Sequence, residues 1–417
     1  MRLAGLQLGI EEAQYRENFM VVDSDAHISE PLEAFEQYLE EPYLSRRPRI
    51  VEDTLGFTRI ILEGRLYPEP RLKQIRGKHS HGANDGVPVN TEEHDRARGI
   101  VGCRGQIGGL HSGAADAKAR LDDLDREGID VQLVLGNLGL VVSALPDKDF
   151  AVAMSRACNS YYSDFCGVDR QRLKCMAALP LQDIPASIAE MKRAVQMLGH
   201  SGIVLPTNVN GKNLDDPSFY PIYEAAQELG VPVAIHWGNS TYIRGAGTER
   251  FDSHVMTHLI GHPFEQMIAT ACIVCGGIVE LFPRLRFAFL EAGCGWLPYW
   301  LQRMHEHYER RAAEMPIMKC EPLEYIVSGS CYFGTEPDET MLPEVLRLIG
   351  DDYILYGSDY PHTDSKFPNS TKWLRDRPDL SEPAKEKILG RNGMRFLGLE
   401  TQQTQGTVTP AVLASIV

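Results

Sequence analysis

Val21–Pro31 reads VVDSDAHISEP. Phe19, Met20, Val21 and Val22 form an apolar run at its start, bounded by charge on both sides. A short run of β-branched and aromatic residues predicts a buried strand. Asp25 and His27 stand at its end, two residues apart. In an extended backbone alternate side chains point the same way. The pair therefore aims one carboxylate oxygen and one imidazole nitrogen at a common point, which is half of a divalent-metal site. By itself an Asp-x-His pair is more often a turn with a solvated carboxylate, so the other ligands must come from the rest of the chain.

The chain has 417 residues, 43% of them hydrophobic, enough for one large core or two modest ones. Its net charge of -15 argues against nucleic acid, whose phosphates need a clustered basic face. The densest basic stretch, Arg71–His81, is short. Met1–Ile10 is too short an apolar region for a signal peptide, and no window approaches the uninterrupted apolar length of a membrane span. The nine cysteines are odd in number and scattered through apolar runs. That usage predicts free thiols in a reducing compartment, hence a cytoplasmic protein. Cys272 and Cys275 form a lone CxxC inside a helix-like apolar segment, where core packing is the expectation.

Downstream of the first strand, Leu32–Leu44 predicts a short helix. Residues 45–112 then lose periodicity and hold one good strand, Thr58–Leu62. A loop of that length inside a compact domain is expected to be functional, so it is assigned as an insertion capping one end of the fold. Regular alternation starts at Ala115. Strands are predicted at Ile129–Leu135, Leu173–Leu179, Gly202–Leu205, Val231–Ile235, Arg286–Leu290, Cys331–Phe333 and Tyr353–Tyr356. Helices are predicted between them at Lys148–Cys166, Pro185–Leu198, Pro217–Leu229, Met256–Phe282, Trp296–Glu314 and Pro337–Ile349, with two more near Pro383–Leu389 and Arg391–Leu397. Gly128, Gly199 and Gly230 are placed to close helices in the left-handed conformation. Apolar strands alternating with helices mean parallel strands covered by helices. Eight such units fit an α/β (β/α)8 barrel, and no GxGxxG follows the first strand to favour a doubly wound sheet. Residues 1–400 are expected to form this one domain. The tail 401–417 ends in the apolar AVLASIV and is expected to pack on a second subunit, identical or homologous.

Barrel enzymes carry their chemistry at the C-terminal ends of the strands. Those ends hold Asp25 and His27 on strand one, His236 on strand five, Glu291 on strand six and Asp359 on strand eight. Two imidazoles and two carboxylates suit Zn, Mn or Fe(II), with Zn the first choice. Asp25 and Asp359 neutralise a 2+ ion, with His27 and His236 as neutral donors, and a bound water then becomes a nucleophile near neutral pH. Glu291 adds a third carboxylate. It must be protonated, act as an acid or base, or face a second cation. One metal is expected, because strand four ends in GIVLPTN and offers only Thr207 and Asn208.

DxHxxEP near the N-terminus, the strand-five His236, HPFEQMIATACIVCGGIVELFPRLRFAFLEAGCGWLP and YGSDYPH together resemble the amidohydrolase superfamily. The resemblance is to the branch that includes aminocarboxymuconate-semialdehyde decarboxylase, and it spans roughly Val21–Pro31 and Ala115–Leu399. It implies a distorted TIM barrel, with Asp25, His27, His236 and Asp359 on the family's metal-ligand positions. The chain departs from the namesake at two places. Asp-x-His replaces His-x-His, and Glu291 stands where the decarboxylase has a catalytic His. The expected reaction is metal-assisted hydrolysis of a small carboxylate- or amide-containing compound, aromatic ones included, with Glu291 and Asp359 catalytic. Non-oxidative decarboxylation is the alternative. Oxygen activation at a dinuclear site, or a structural subunit paired with a homologue, are further alternatives.

Trp237, Trp296 and His362 are candidate substrate contacts, with barrel packing or a surface turn as the plain alternatives. His254, His258 and His262 recur every four residues on one helical face, and packing against the barrel mouth is the expectation there.

Overall fold

The structure is a computed structural model, and it describes residues 19–52, 58–67, 111–238, 243, 245–252, 254–362 and 365–399. Eight strands form one sheet. They are β1 (Val22–Ile28), β2 (Val131–Gly136), β3 (Leu173–Ala178), β4 (Gly202–Leu205), β5 (Val233–Ile235), β6 (Phe287–Phe289), β7 (Cys331–Thr335) and β8 (Ile354–Tyr356). Each pairs in parallel with the next in chain order. The ring closes where the chain just past β8 meets β1. There Ala26 bridges Tyr360, His27 N–H donates to the Tyr360 carbonyl at 2.7 Å, and Asp359 N–H donates to that of Asp25 at 2.9 Å. This is the expected TIM barrel.

Helices link the strands because their ends are signalled locally. The helix Ala117–Glu127 starts at Asp116, whose carboxylate accepts from Lys118 N and Ala119 N, and stops at Gly128 with φ +68°. Asp147 and Asp183 cap the next two in the same way. Several helices come out shorter than their periodicity predicts, Pro337–Ile349 reducing to Leu342–Ile349 and Trp296–Glu314 to Leu297–Arg311 among them. Leu32–Leu44 reduces to Ala34–Tyr38, since Pro42 disfavours helical backbone before it. Met256–Phe282 divides into His254–Val274 and Ile278–Leu281 at Gly277, whose φ is +81°.

Two apolar layers result. Val22, Leu133, Leu135, Met176, Val204, Leu290 and Leu355 fill the barrel, and Phe396 and Leu397 of the last helix plug the end where β1 begins. A larger cluster lies between barrel and helices. Cys272 packs there, buried, and the cysteines from Cys158 to Cys331 are free thiols.

Thr58–Leu62 pairs antiparallel with Arg49–Glu52 and Arg65–Tyr67. Arg46 ties this small sheet to Asp147, at the start of the helix that leaves the C-terminal end of β2. The rest of the 45–112 insertion and the tail 401–417 lie outside the described residues. No helix of the described residues is long and apolar enough to cross a membrane.

Candidate metal centre

β1 is irregular where it matters. Its register against β2 shifts between Asp23 and Ala26. A bulge of this kind re-aims the side chains beyond it. Val22 faces the barrel interior, and past the bulge Asp25 and His27 turn into the mouth beyond it. Gly357 makes room, since a Cβ there would lie 2.8 Å from Asp25 Cβ.

The mouth gathers the predicted donors. His27 Nε2 lies 3.5 Å from Asp25 Oδ1 and 3.4 Å from Asp359 Oδ1. His236 Nε2 lies 3.9 Å from Asp25 Oδ1 and closer still to Glu291 Oε2. Glu291 Oε2 is also 3.9 Å from His27 Nε2. Asp25, His27 and His236 are buried, yet Asp25 Oδ1, both ring nitrogens of His27 and Nδ1 of His236 have no hydrogen-bond partner, and His236 Nε2 meets only Glu291 Oε2. Buried polar atoms without partners are costly, on the order of 1–3 kcal/mol each. A divalent cation among them removes that cost, so the donor set fits a metal. Glu291 and Asp359 hold φ values of +54° and +53°, unusual for residues with a side chain, and such strain gathers at functional sites.

Electrostatics agree. Burial lowers the affinity of His27 for a proton, but Asp25 and Asp359 overcome it and push the imidazole up to about 9. Burial pushes the Asp25 carboxyl up. Burial opposes ionisation of Asp359, yet His362 and His27 hold it well below the usual carboxylate range. Burial, with His27 and His262 nearby, holds His236 well below the usual imidazole range, as a neutral donor. Positive charge is thus favoured at His27, between Asp25 and Asp359, while His236 stays neutral.

The remaining candidates divide. His362 belongs to the site: its ring stacks on His27 with centroids 4.3 Å apart, and Nδ1 donates to Asp359 Oδ1 at 2.7 Å. Trp237 is buried edge-on against His262, with centroids 4.8 Å apart. Trp296 faces the layer between barrel and helices instead, edge-on to Phe333, and its indole N–H donates to the Gly293 carbonyl. Thr207 and Asn208 are taken up by Glu265. His258 and His262 lie closer to the chemistry than packing requires, since both group with Glu291. A recurrence every four residues in an apolar helix is the only signal the sequence holds for them. A cavity of about 260 Å³ opens on Asp25, His258, His262, Glu291, Asp359 and Lys366.

Known proteins can be set beside this geometry. Residues 22–399 match the model of a family described as Amidohydrolase. The chain belongs to the amidohydrolase family. It is 29% identical over 294 residues to 2-amino-3-carboxymuconate-6-semialdehyde decarboxylase of Dictyostelium discoideum, covering 70% of this chain and 79% of that one. It is 26% identical over 301 residues to gamma-resorcylate decarboxylase of a Rhizobium species, covering 67% and 86%. Among solved structures, an amidohydrolase of Mycobacterium avium subsp. paratuberculosis superposes with a TM-score of 0.71 at 22% identity, covering 91% of this chain and all of that one. A dihydroxybenzoic acid decarboxylase of a Polaromonas species, with bound manganese and the inhibitor 2-nitroresorcinol, gives 0.60 at 18% identity, covering 91% and 97%. The chain is thus an enzyme of this family, a hydrolase or carboxy-lyase, and its donor set fits a divalent metal.

Proposed function

We propose that the protein is a metal-dependent carboxy-lyase that removes carbon dioxide from a small aromatic or enol-type carboxylate. The observation that carries the metal chemistry is the convergence of Asp25, His27, His236 and Asp359, the first three with unpartnered atoms, beside a cavity that Asp25 and Asp359 line. Decarboxylation takes precedence over hydrolysis, the first expectation from the sequence, because both relatives named above are decarboxylases. Manganese comes before zinc on the same footing, as the ion bound in the Polaromonas decarboxylase.

Asp25, His27, His236 and Asp359 would hold the ion, which when bound supplies a Lewis acid for substrate oxygens. The other residues act directly. Asp359 and His362, joined at 2.7 Å, handle the proton. The carbon that loses carbon dioxide keeps the bonding electron pair and takes that proton. Lys366 is the only lysine or arginine among the described residues that line the cavity, and it draws an anionic substrate inward. We also assign the 45–112 insertion the role of a cover, since Arg46 anchors its sheet at the strand-end face of the barrel.

The test incubates manganese- and zinc-loaded protein with 2,6-dihydroxybenzoate and related phenolic and enol carboxylates in ¹⁸O-water. Carbon dioxide release with no solvent oxygen in the product is expected. Solvent oxygen in the product without carbon dioxide would restore hydrolysis, with Glu291 as the base that activates water.

A further inference from the structure

Within little more than one turn, the helix His254–Val274 ties the ends of β4, β5 and β6 together through its side chains. Glu265 accepts from Thr207 Oγ1 at 2.6 Å and Asn208 Nδ2 at 2.8 Å, just past β4, and from Ala246 N at 2.6 Å. His262 Nδ1 donates to the Glu291 carbonyl, just past β6, at 2.9 Å. Gln266 links two strands at once. Its Nε2 donates to the Ile235 carbonyl at 2.9 Å and to the Leu290 carbonyl at 2.8 Å. Those carbonyls belong to the residues immediately before His236 and Glu291. We propose that Gln266 is a positioning residue, which fixes His236 and Glu291 relative to each other by holding one amide across the peptide groups that lead into them.

The ladder between β5 and β6 explains why a link is needed there. It pairs Ile235 with Phe289 and continues to a bond from Leu290 N to the Ile235 carbonyl at 3.1 Å. Beyond it the two chains part. His236 N–H donates sideways to the Leu205 carbonyl of β4 at 3.0 Å, and Glu291 turns left-handed at φ +54°. A left-handed glutamate persists only where its surroundings hold it. Gln266 holds the peptide before it, and His262 holds the carbonyl after it.

The choice of side chain points the same way. One amide nitrogen offers two hydrogens, enough for both carbonyls. Gln266 is fully buried, and its Oε1 has no hydrogen-bond partner. An apolar residue would fill the space without stranding that acceptor. Packing alone therefore does not call for an amide here, and the two carbonyls do. His236 Nε2 and Glu291 Oε2 are in contact in this arrangement. A functional site needs its groups held to within about 0.5 Å by such support, so slack in either strand end reaches the metal centre.

The inference rests on the metal-dependent reading, with His236 as a ligand, and the experiment separates the two. Full-length wild type, Gln266→Met, Gln266→Asn and Ile273→Ala are stripped with chelator and titrated with Mn(II), and bound ion is counted by equilibrium dialysis. Co(II) is then substituted and its visible absorption recorded, as a readout of ligand geometry. Met matches the length of Gln and donates nothing. Asn keeps the amide but ends one carbon short. Ile273 is buried on the same helix, in the layer between barrel and helices, and controls for packing. Gln266→Met is expected to raise Kd for Mn(II) by about 10- to 100-fold, the range of outer-shell partners, and to shift the Co(II) bands. Gln266→Asn is expected to give a smaller rise of the same kind, and it decides the matter should Gln266→Met misfold. Ile273→Ala should unfold at lower denaturant with Kd and spectrum as in wild type. Wild-type Kd and spectrum in both Gln266 variants overturn the positioning role and leave the metal reading standing. An equal rise in Ile273→Ala also overturns it, because any loosening of the layer would then loosen the site. No manganese or cobalt bound by wild type overturns the metal reading, and this inference with it.

Discussion

Two buried polar clusters share β1, and only one is satisfied. Asp23 heads the first. Its carboxylate accepts from Ser358 N at 2.9 Å, Ser358 Oγ, Gln132 Nε2 at 2.8 Å and Asp25 N at 3.3 Å. Arg120 completes that cluster, donating to Gly113 O, Gln132 Oε1 and His27 O, with its guanidinium 4.5 Å over the Tyr360 ring. Two residues on, Asp25 and His27 are buried just as deeply with ligand atoms that meet no partner. The residue types are nearly the same. The difference is that the first cluster carries its own donors, acceptors and guanidinium, and the second presents a set of ligand atoms that a divalent cation would complete. A complete buried network holds strands in register, and an incomplete one is built to receive something.

Breaking the incomplete cluster should have the largest effect on function and a small one on folding. Asp359→Ala is expected to lower metal affinity and turnover by more than about 10²-fold, since outer-shell changes alone reach that scale. Metal content and steady-state rates measure it. Full occupancy with full activity would refute the assignment of Asp359.

Breaking the complete cluster should do the reverse. Arg120→Met leaves the Gly113 and His27 carbonyls and Gln132 without their donor, all of them buried. A loss of roughly 3 kcal/mol of folding stability is expected, from several orphaned groups. The protein that remains folded should bind as much metal as wild type. Denaturant unfolding and metal analysis on the same sample check both halves. Unchanged stability would mean that the network is decorative.

Removing the bound metal sharpens the contrast further. Chelation of wild type should lower its stability by about 2–3 kcal/mol if metal is normally present near a hundredfold over its dissociation constant. Asp359→Ala should show almost none of that change. Calorimetric scans with and without chelator give the answer. An equal drop in both proteins would place the bound metal elsewhere.

The same contrast explains what could be read from the chain beforehand. The barrel was legible because most strands are short apolar runs closed by glycine, proline or a polar group, and several helices carry their own caps, as at Asp116, Asp147 and Asp183. Asp25, His27, His236, Glu291 and Asp359 were legible as the polar groups that interrupt those runs at equivalent ends. The Asp23–Arg120 network was not, because its partners come from positions as distant as Ser358 and only the closed ring joins them. The bulge in β1 was also hidden, since alternation alone aims Asp25 and His27 together while saying nothing of Val22. His262 stayed ambiguous because a histidine every four residues describes a packed face and a ligand face equally. Trp296, open between a substrate contact and barrel packing, was ambiguous for a related reason. Standing next to a strand-end residue does not fix which side of the barrel wall a ring takes.

The smallest expected effect lies at the rim. Lys366 lines the cavity but is held by Asp338, Nζ to Oδ2 at 3.0 Å, and both side chains are about one-third exposed at 31% and 35%. An ion pair that open to water contributes about 1 kcal/mol or less, so an incoming carboxylate competes with Asp338 for the ammonium group at little cost. Lys366→Gln should therefore raise KM for an anionic substrate by about two- to fivefold and leave kcat nearly unchanged, because the group attracts substrate without touching the reacting carbon. Asp338→Asn frees the lysine and should lower KM by a similar factor. Raising the salt concentration should shrink both differences, as screening predicts for exposed charges. Opposite signs in the two variants are the result to look for. If both raise KM, the pair orders the loop that carries Lys366 and does not recognise the substrate. If Lys366→Gln instead lowers kcat with KM fixed, the ammonium group reaches the reacting atoms and belongs with Asp359 and His362.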